Sequence, residues 1–185
     1  RQSMHIIPTD IPDVLIVEPK VFEDDRGFFM ESWNRKAFEA AGIASDFVQD
    51  NHSQSKYGTL RGLHYQIQQA QGKLVRVTRG SVFDVAVDIR HSSPTFGQWV
   101  GIELSEVNKR MLWVPGGFAH GFFVTSDVAE FQYKCTDYFA PEYERAIIWN
   151  DADLNIKWPM DAHQKPVLPA KDSAAPSFKD AVVYT

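Results

Sequence analysis

The residues of this sequence best equipped to move a proton are a histidine, a lysine and a tyrosine, each on a run that reads as β-strand. His64 lies in Arg61-Gly62-Leu63-His64-Tyr65-Gln66, beside a positive charge and a flexible glycine. An imidazole titrates near working pH, so a His64 fixed on a strand could act as a general base. The same segment equally describes a histidine satisfied on a strand face, which is the commoner case. Lys73 opens the following strand run. It is either a group that neutralises a carbanion or a solvated surface lysine. Tyr133 alternates with Phe131 and Cys135 on an apolar face. Its phenol is either a proton donor aimed into the interior or a core tyrosine with a satisfied hydroxyl.

A second histidine, His120, lies in Pro115-Gly116-Gly117-Phe118-Ala119-His120-Gly121-Phe122, a tight turn leading into a strand. The spacing Pro-x-Gly-x-x-His resembles the second cupin motif, whose histidine is often a metal ligand. The first cupin motif needs two histidines one residue apart and a following glutamate. Around His64 stand Tyr65 and Gln66 instead, so the donor set for a transition metal is incomplete and no metal is expected. No glycine-rich strand-to-helix fingerprint points to a dinucleotide, and no cofactor is expected.

The elements that must position these groups read as all-β. Short runs rich in Val, Ile, Phe, Tyr and Trp are separated by Gly, Pro, Asn and Asp. The clearest spans 81–90, where Phe83, Val85, Val87 and Ile89 point one way and Asp84, Ala86 and Asp88 the other, giving a core face and a polar face. Asp84 and Asp88 either line the interior or face solvent, and Asp88 is assigned a structural pairing with a nearby arginine. Further strands are expected at 14–19, 27–33, 59–66, 73–79, 99–104, 110–114, 121–125 and 131–137, a density that favours a sandwich or barrel. A helix is expected over 34–41, capped by Asn34 and ended by Gly42. The tail from Ala152 onward reads as loops and short helical turns packed over the barrel.

The 185 residues, 44% hydrophobic and 23% charged, suit one globular domain, taken as 4–185. Residues 1–3, ahead of Met4, read as a cloning remnant. A formal charge of -5 argues against nucleic acid or a membrane surface as partner, since both call for a basic field. With Cys135 as the one cysteine, no intrachain disulfide forms, and the cytoplasm is the expected compartment. No run approaches membrane-spanning length.

A resemblance then covers nearly the whole chain. The segments Asp25-Arg26-Gly27-Phe28-Phe29, Phe47-Val48-Gln49-Asp50-Asn51-His52-Ser53, Leu60-Arg61-Gly62-Leu63-His64 and Gln71-Gly72-Lys73-Leu74-Val75-Arg76 occur in order. They are followed by Phe83-Asp84-Val85-Ala86-Val87-Asp88-Ile89-Arg90, Ser93-Pro94-Thr95-Phe96-Gly97, the turn carrying His120, Trp149-Asn150-Asp151 and Ala170-Lys171-Asp172. Together they resemble the dTDP-4-dehydrorhamnose 3,5-epimerase family.

The resemblance implies a cupin-like jelly-roll β-barrel with short peripheral helices, and conversion of dTDP-4-dehydro-6-deoxy-D-glucose to dTDP-4-dehydro-L-rhamnose on the way to dTDP-L-rhamnose. It implies His64 as proton acceptor, Asp172 as the carboxylate orienting it, Tyr133 as proton donor from the opposite face, and Lys73 as the enolate stabiliser at the C4 ketone. It further implies that His120 holds the sugar or phosphate and that Arg26, Glu31, Gln49, Asn51, Arg61, Glu144 and Lys171 contact substrate, with Arg61 and Lys171 at the diphosphate. Phe139 falls where the family stacks an aromatic ring on thymine; tyrosine is common there, and phenylalanine keeps the stacking face. A homodimer with N-terminal strands exchanged or paired is implied too, so part of the site can come from the partner chain. Three alternatives stay open beside the double epimerase: an enzyme inverting only C3 or only C5, a catalytically silent sugar-nucleotide binder, and a metal-dependent cupin oxygenase.

Overall fold

From Gln49 onward most consecutive strands of this chain fall on opposite walls of the molecule, and that alternation brings distant motifs together. The computed structural model describes residues 4–43 and 46–185. The proposed cloning remnant at 1–3 lies outside the described residues. In chain order the strands are β1 (Met4–Pro8), β2 (Leu15–Pro19), β3 (Val21–Asp24), β4 (Gly27–Met30), β5 (Gln49–Lys56), β6 (Leu60–Gln66) and β7 (Lys73–Arg79). They continue with β8 (Ser81–Asp88), β9 (Trp99–Ser105), β10 (Met111–Val114), β11 (Phe118–Val124), β12 (Val128–Cys135) and β13 (Glu144–Ala146). The helices α1 (Arg35–Ala40) and α2 (Ala170–Ser173) are short.

An antiparallel sheet of order β1-β2-β10-β7-β12-β5 faces another of order β13-β6-β11-β8-β9. These are the two walls of a cupin-like jelly roll, and they are not hydrogen-bonded into a closed barrel. Between them lies a core of Val75, Val77, Val82, Ala86, Leu112, Phe122 and Phe131.

The strand β8 corrects the expectation of one core face and one polar face. Both faces are buried. Val82 and Ala86 point into the space between the sheets, and Asp84 shares their side; the apolar face of Val85, Val87 and Ile89 lies under Leu154, Trp158, Phe178 and Tyr184 of the C-terminal tail. The tail is held to β6 by hydrogen bonds from the Tyr65 hydroxyl to the Val182 carbonyl and from the Tyr184 hydroxyl to the Gln66 carbonyl. It therefore serves as an outer layer for the wall that carries His64.

Helix α1 follows its sequence signals: Asn34 Oδ1 accepts from the Ala37 amide at 3.1 Å, and Gly42 leaves the helix at φ +90. Its Phe38 packs with Trp33, Phe47 and Trp113 on the outside of the six-stranded sheet. Other strands depart from expectation. β5 is polar at every position, so composition hides it, yet its burial alternates strictly, with Gln49, Asn51, Ser53 and Ser55 turned inward. The stretch expected as one strand at 27–33 ends at Met30 and pairs only with β3, forming a separate hairpin. No helix among the described residues is long and apolar enough to cross a membrane.

Asp88 shows how a buried charge is accommodated structurally. Its oxygens accept from the amide, Nε and Nη2 of Arg90 and from the hydroxyls of Ser93 and Thr95, at 2.5 to 3.0 Å. Burial works against the charge, but these donors outweigh it and hold the carboxyl at about 2. A carboxyl lowered on folding stabilises above its ordinary value of 3.8, and that stability is lost as pH falls toward about 2. Asp88→Ala should cost about 3 kcal/mol in urea unfolding at neutral pH, because it strands buried donors. The gap from the parent protein should narrow below pH 3.8; a gap that stays constant down to about 2 would contradict the assignment.

Candidate active site

Because β6 and β7 lie in opposite sheets, as do β11 and β12, each pair of neighbouring motifs contributes one group to each wall of a single cleft. The cleft has a volume of about 450 Å³. His64 and His120 come from one sheet, Lys73 and Tyr133 from the other. Gln49 and Asn51 of β5, Arg61, Phe139, Glu144 and Lys171 complete the polar rim, over an apolar floor of Phe122 and Phe131.

The two histidines are direct cross-strand partners in the β6–β11 register. That register shifts between His120 and Phe122, where the backbones of Gly62 and Gly121 press together. A Cβ on Gly62, at φ +137, would lie 2.6 Å from the Gly121 Cα, so only glycine permits this approach.

Each histidine is anchored through Nε2 to a fully buried carboxylate. His64 Nε2 lies 2.6 Å from Asp172 Oδ1, and the Gly62 amide donates to Asp172 Oδ2 at 3.1 Å. Burial raises the Asp172 carboxyl, but the bonds from His64 and Gly62 outweigh it and leave it below the ordinary carboxylate range. A carboxylate only accepts, so the neutral His64 ring carries its hydrogen on Nε2 and its lone pair on Nδ1. That is the state a general base needs. His120 Nε2 is likewise 2.7 Å from Asp84 Oδ1.

On the opposite wall, burial raises the Tyr133 phenol and keeps it protonated at neutral pH, with Asn51 partly offsetting the effect. Burial lowers Lys73, whose Nζ sits 5.6 Å from the centre of the Tyr133 ring. A lysine lowered in this way is a stronger hydrogen-bond donor to an incipient oxyanion. The phenol and ammonium thus face the imidazoles across the cleft.

The rim is a chain of contacts. Gln49 Nε2 donates to Asn51 Oδ1 at 3.0 Å, Gln49 Oε1 accepts from the Phe139 amide at 3.0 Å, and Arg61 Nε donates to Ser55 Oγ at 2.9 Å. Lys171 pairs with Glu144 at 2.9 Å in an exposed bridge that a stronger anion can displace. Phe139 is half exposed at the lip, open for stacking.

Two of the residues singled out in the sequence are not brought to this cleft. Arg26 extends from the tip of the β3–β4 hairpin and pairs with Asp24, while Glu31 accepts from Asn34 Nδ2 at 3.3 Å beside the start of α1. The reason is topological: the hairpin bonds to neither wall. Conversely, Phe122, Phe131 and Asp84 belong to the site or its support without having been singled out for it. An aspartate in the middle of a Val-Ala-Val strand was the available signal for Asp84. Among the described residues, no three His, Cys, Asp or Glu side chains converge to hold a metal ion.

Comparison with known proteins identifies the family. The family model described as dTDP-4-dehydrorhamnose 3,5-epimerase matches residues 8–180. The enzyme of that name from Pseudomonas aeruginosa is 63% identical over 172 residues, covering 92% of this chain and 94% of its own. The crystal structure of dTDP-6-deoxy-D-glucose-3,5-epimerase from Legionella pneumophila, in complex with dTDP-4-keto-L-rhamnose, superposes with a TM-score of 0.92 at 56% identity, covering 96% of this chain and 94% of that one. A 3'-monoepimerase from Streptomyces bikiniensis, in complex with dTDP-quinovose, superposes less closely, with a TM-score of 0.86 at 32% identity over 93% of this chain and 87% of its own. With nearly its full length matched by the family model and by these relatives, the chain belongs to the dTDP-4-dehydrorhamnose 3,5-epimerase family.

Proposed function

We propose that residues 4–185 act as one catalytic unit that epimerises dTDP-4-dehydro-6-deoxy-D-glucose at C3 and C5, giving dTDP-4-dehydro-L-rhamnose in the cytoplasm, without a resident metal or redox cofactor. The observation that carries this reading is the opposition of the His64–Asp172 pair on one sheet to Tyr133 and Lys73 on the other. The C4 ketone acidifies the hydrogens on both C3 and C5. His64 Nδ1 takes a proton from one of these carbons, and the C–H electrons move into an enolate whose charge on the C4 oxygen is met by Lys73. Tyr133 returns a proton to the opposite face, inverting the centre, and recovers one from solvent. His64 gives up its proton before the second carbon reacts. Asp172 keeps the ring oriented and balances the imidazolium.

Binding falls to the rim. Arg61 and Lys171 take the diphosphate, as guanidinium and ammonium groups suit phosphate oxygens. Phe139 stacks on thymine; Gln49, Asn51, His120 and Glu144 contact the remaining polar groups. Arg26 and Glu31 stand away from this chain's own cleft, so we assign them to the cleft of a second copy in a homodimer. The exposed Phe28 and Phe29 beside Arg26, and the edge position of β1, support such a partner.

In deuterated water, enzyme and substrate should load deuterium at both C3 and C5. Label at one carbon alone would convert the reading to a mono-epimerase, and no label would sink it. His64→Asn should slow exchange at both carbons by about 10²- to 10⁴-fold while dTDP still binds; retained exchange would move the base elsewhere. Mixing Arg26→Ala chains with His64→Asn chains should restore up to about a quarter of parental activity, because each mixed dimer rebuilds one intact site. No recovery after subunit exchange would place Arg26 in its own chain's site.

A further inference from the structure

Behind the cleft wall His120 is held by a second buried carboxylate, Asp84, which the mechanism above leaves without a task. Asp84 sits in the middle of β8, fully buried, and lines no part of the cleft. Its Oδ1 is bonded to His120 Nε2, while its Oδ2 is the single buried side-chain nitrogen or oxygen among the described residues without a hydrogen-bond partner. Fold alone gives little reason for such an arrangement, since an apolar residue between Val82 and Ala86 would avoid the desolvation of a bare carboxylate oxygen. From the facing sheet comes Lys73, buried and with no carboxylate within ion-pair distance among the described residues. The charges bearing on it at working pH are those of Asp84 and Glu144, since burial pushes the neighbouring Cys135 thiol up to about 11.

We propose that Asp84 is a positioning residue for the epimerisation: Oδ1 fixes the His120 ring so that Nδ1 is left for the cleft, and the carboxylate, uncommitted at Oδ2, supplies the counter-charge for the Lys73 ammonium. This rests on the reading of the cleft as an epimerase site and deepens it. Asp172 differs in that both of its oxygens are taken, by His64 and the Gly62 amide, so its charge is spent on one ring. Asp84 has one oxygen left, and its field reaches across to Lys73. It does not meet the enolate directly, because His120 and Lys73 line the cleft and Asp84 lies behind them. The other titratable or charged groups facing this region are His52 from β5, His64 and Arg61 from β6, Tyr133 and Cys135 from β12, Glu144 from β13 and Lys171 from α2.

Asp84→Asn separates the two duties, because the amide oxygen still accepts from His120 Nε2 while the charge is gone. The expected result is a loss in kcat of about 10²-fold with KM held within about threefold. Exchange at C3 and C5 should slow together, and the alkaline limb of the kcat profile should move to lower pH. The direction is set by Lys73: removing a nearby negative charge makes the ammonium easier to deprotonate. Asp84→Ala should lose more, as the ring is also freed. A merely structural Asp84 would change the melting temperature and leave the pH profile of the folded enzyme in place; that outcome overturns the proposal. Should the variants fail to fold, nitrogen NMR of the unmodified enzyme decides the matter: His120 bearing its neutral-state hydrogen on Nε2 supports the proposal, and on Nδ1 overturns it. Unmodified enzyme that loads no deuterium would defeat the epimerase reading itself, whereas Asp84→Asn enzyme loading it at the parental rate would defeat only this inference.

Discussion

Inverting a carbon requires a proton to leave one face of the sugar and arrive on the other, so the reacting ring must lie between two walls that do not move. Facing sheets supply such walls at a spacing of about 10 Å. In this molecule the chain alternates between them: β6 to β7, and β11 to β12, each cross from one sheet to the other. His64 and Lys73 are thus close in sequence and opposite in space, and His120 and Tyr133 likewise. The placing of imidazoles on one wall and of phenol and ammonium on the other follows from topology before any loop is considered.

Much of this was legible in the sequence, and the failures have physical causes. The alternation in β8, the Asn34 cap and the Gly42 stop are local signals, and the structure follows them. Strand β5 was illegible because hydrophobic periodicity is blind to a strand whose inward face is itself polar. Gln49 and Asn51 point inward because they line the cleft, not because the core needs them. The outer face of β8 misled for the converse reason: its apolar side chains are matched by a tail far away in sequence, which no local pattern can reveal. The place of Arg26 and Glu31 was beyond reach altogether, since residue type says nothing about whether a hairpin pairs with its own walls.

The tail does more than cover β8. It carries Asp172 in α2, immediately behind His64, and its two tyrosine–carbonyl bonds tie it along β6. The carboxylate bonded to His64 is therefore part of the C-terminal layer that docks on this wall. The hydrophobic packing of the tail and the imidazole–carboxylate pair thus rest on one segment, which links the stability of the wall to the placing of the His64 ring.

Three aspartates among the described residues are fully buried, and the way each is satisfied separates their duties. Asp88 is surrounded by donors from Arg90, Ser93 and Thr95 and has nothing left to offer. Asp172 divides its oxygens between a backbone amide and one imidazole, holding a strand and a ring in register with each other. Asp84 satisfies one oxygen and leaves the other bare in the middle of a sheet. Desolvation makes that the least stable of the three arrangements, and burial accordingly raises its carboxyl, against the pull of His120 and Lys73. A saturated carboxylate can serve the fold alone. One left half-satisfied beside two cleft-lining bases is better explained by the charge it lends them than by any contact it makes.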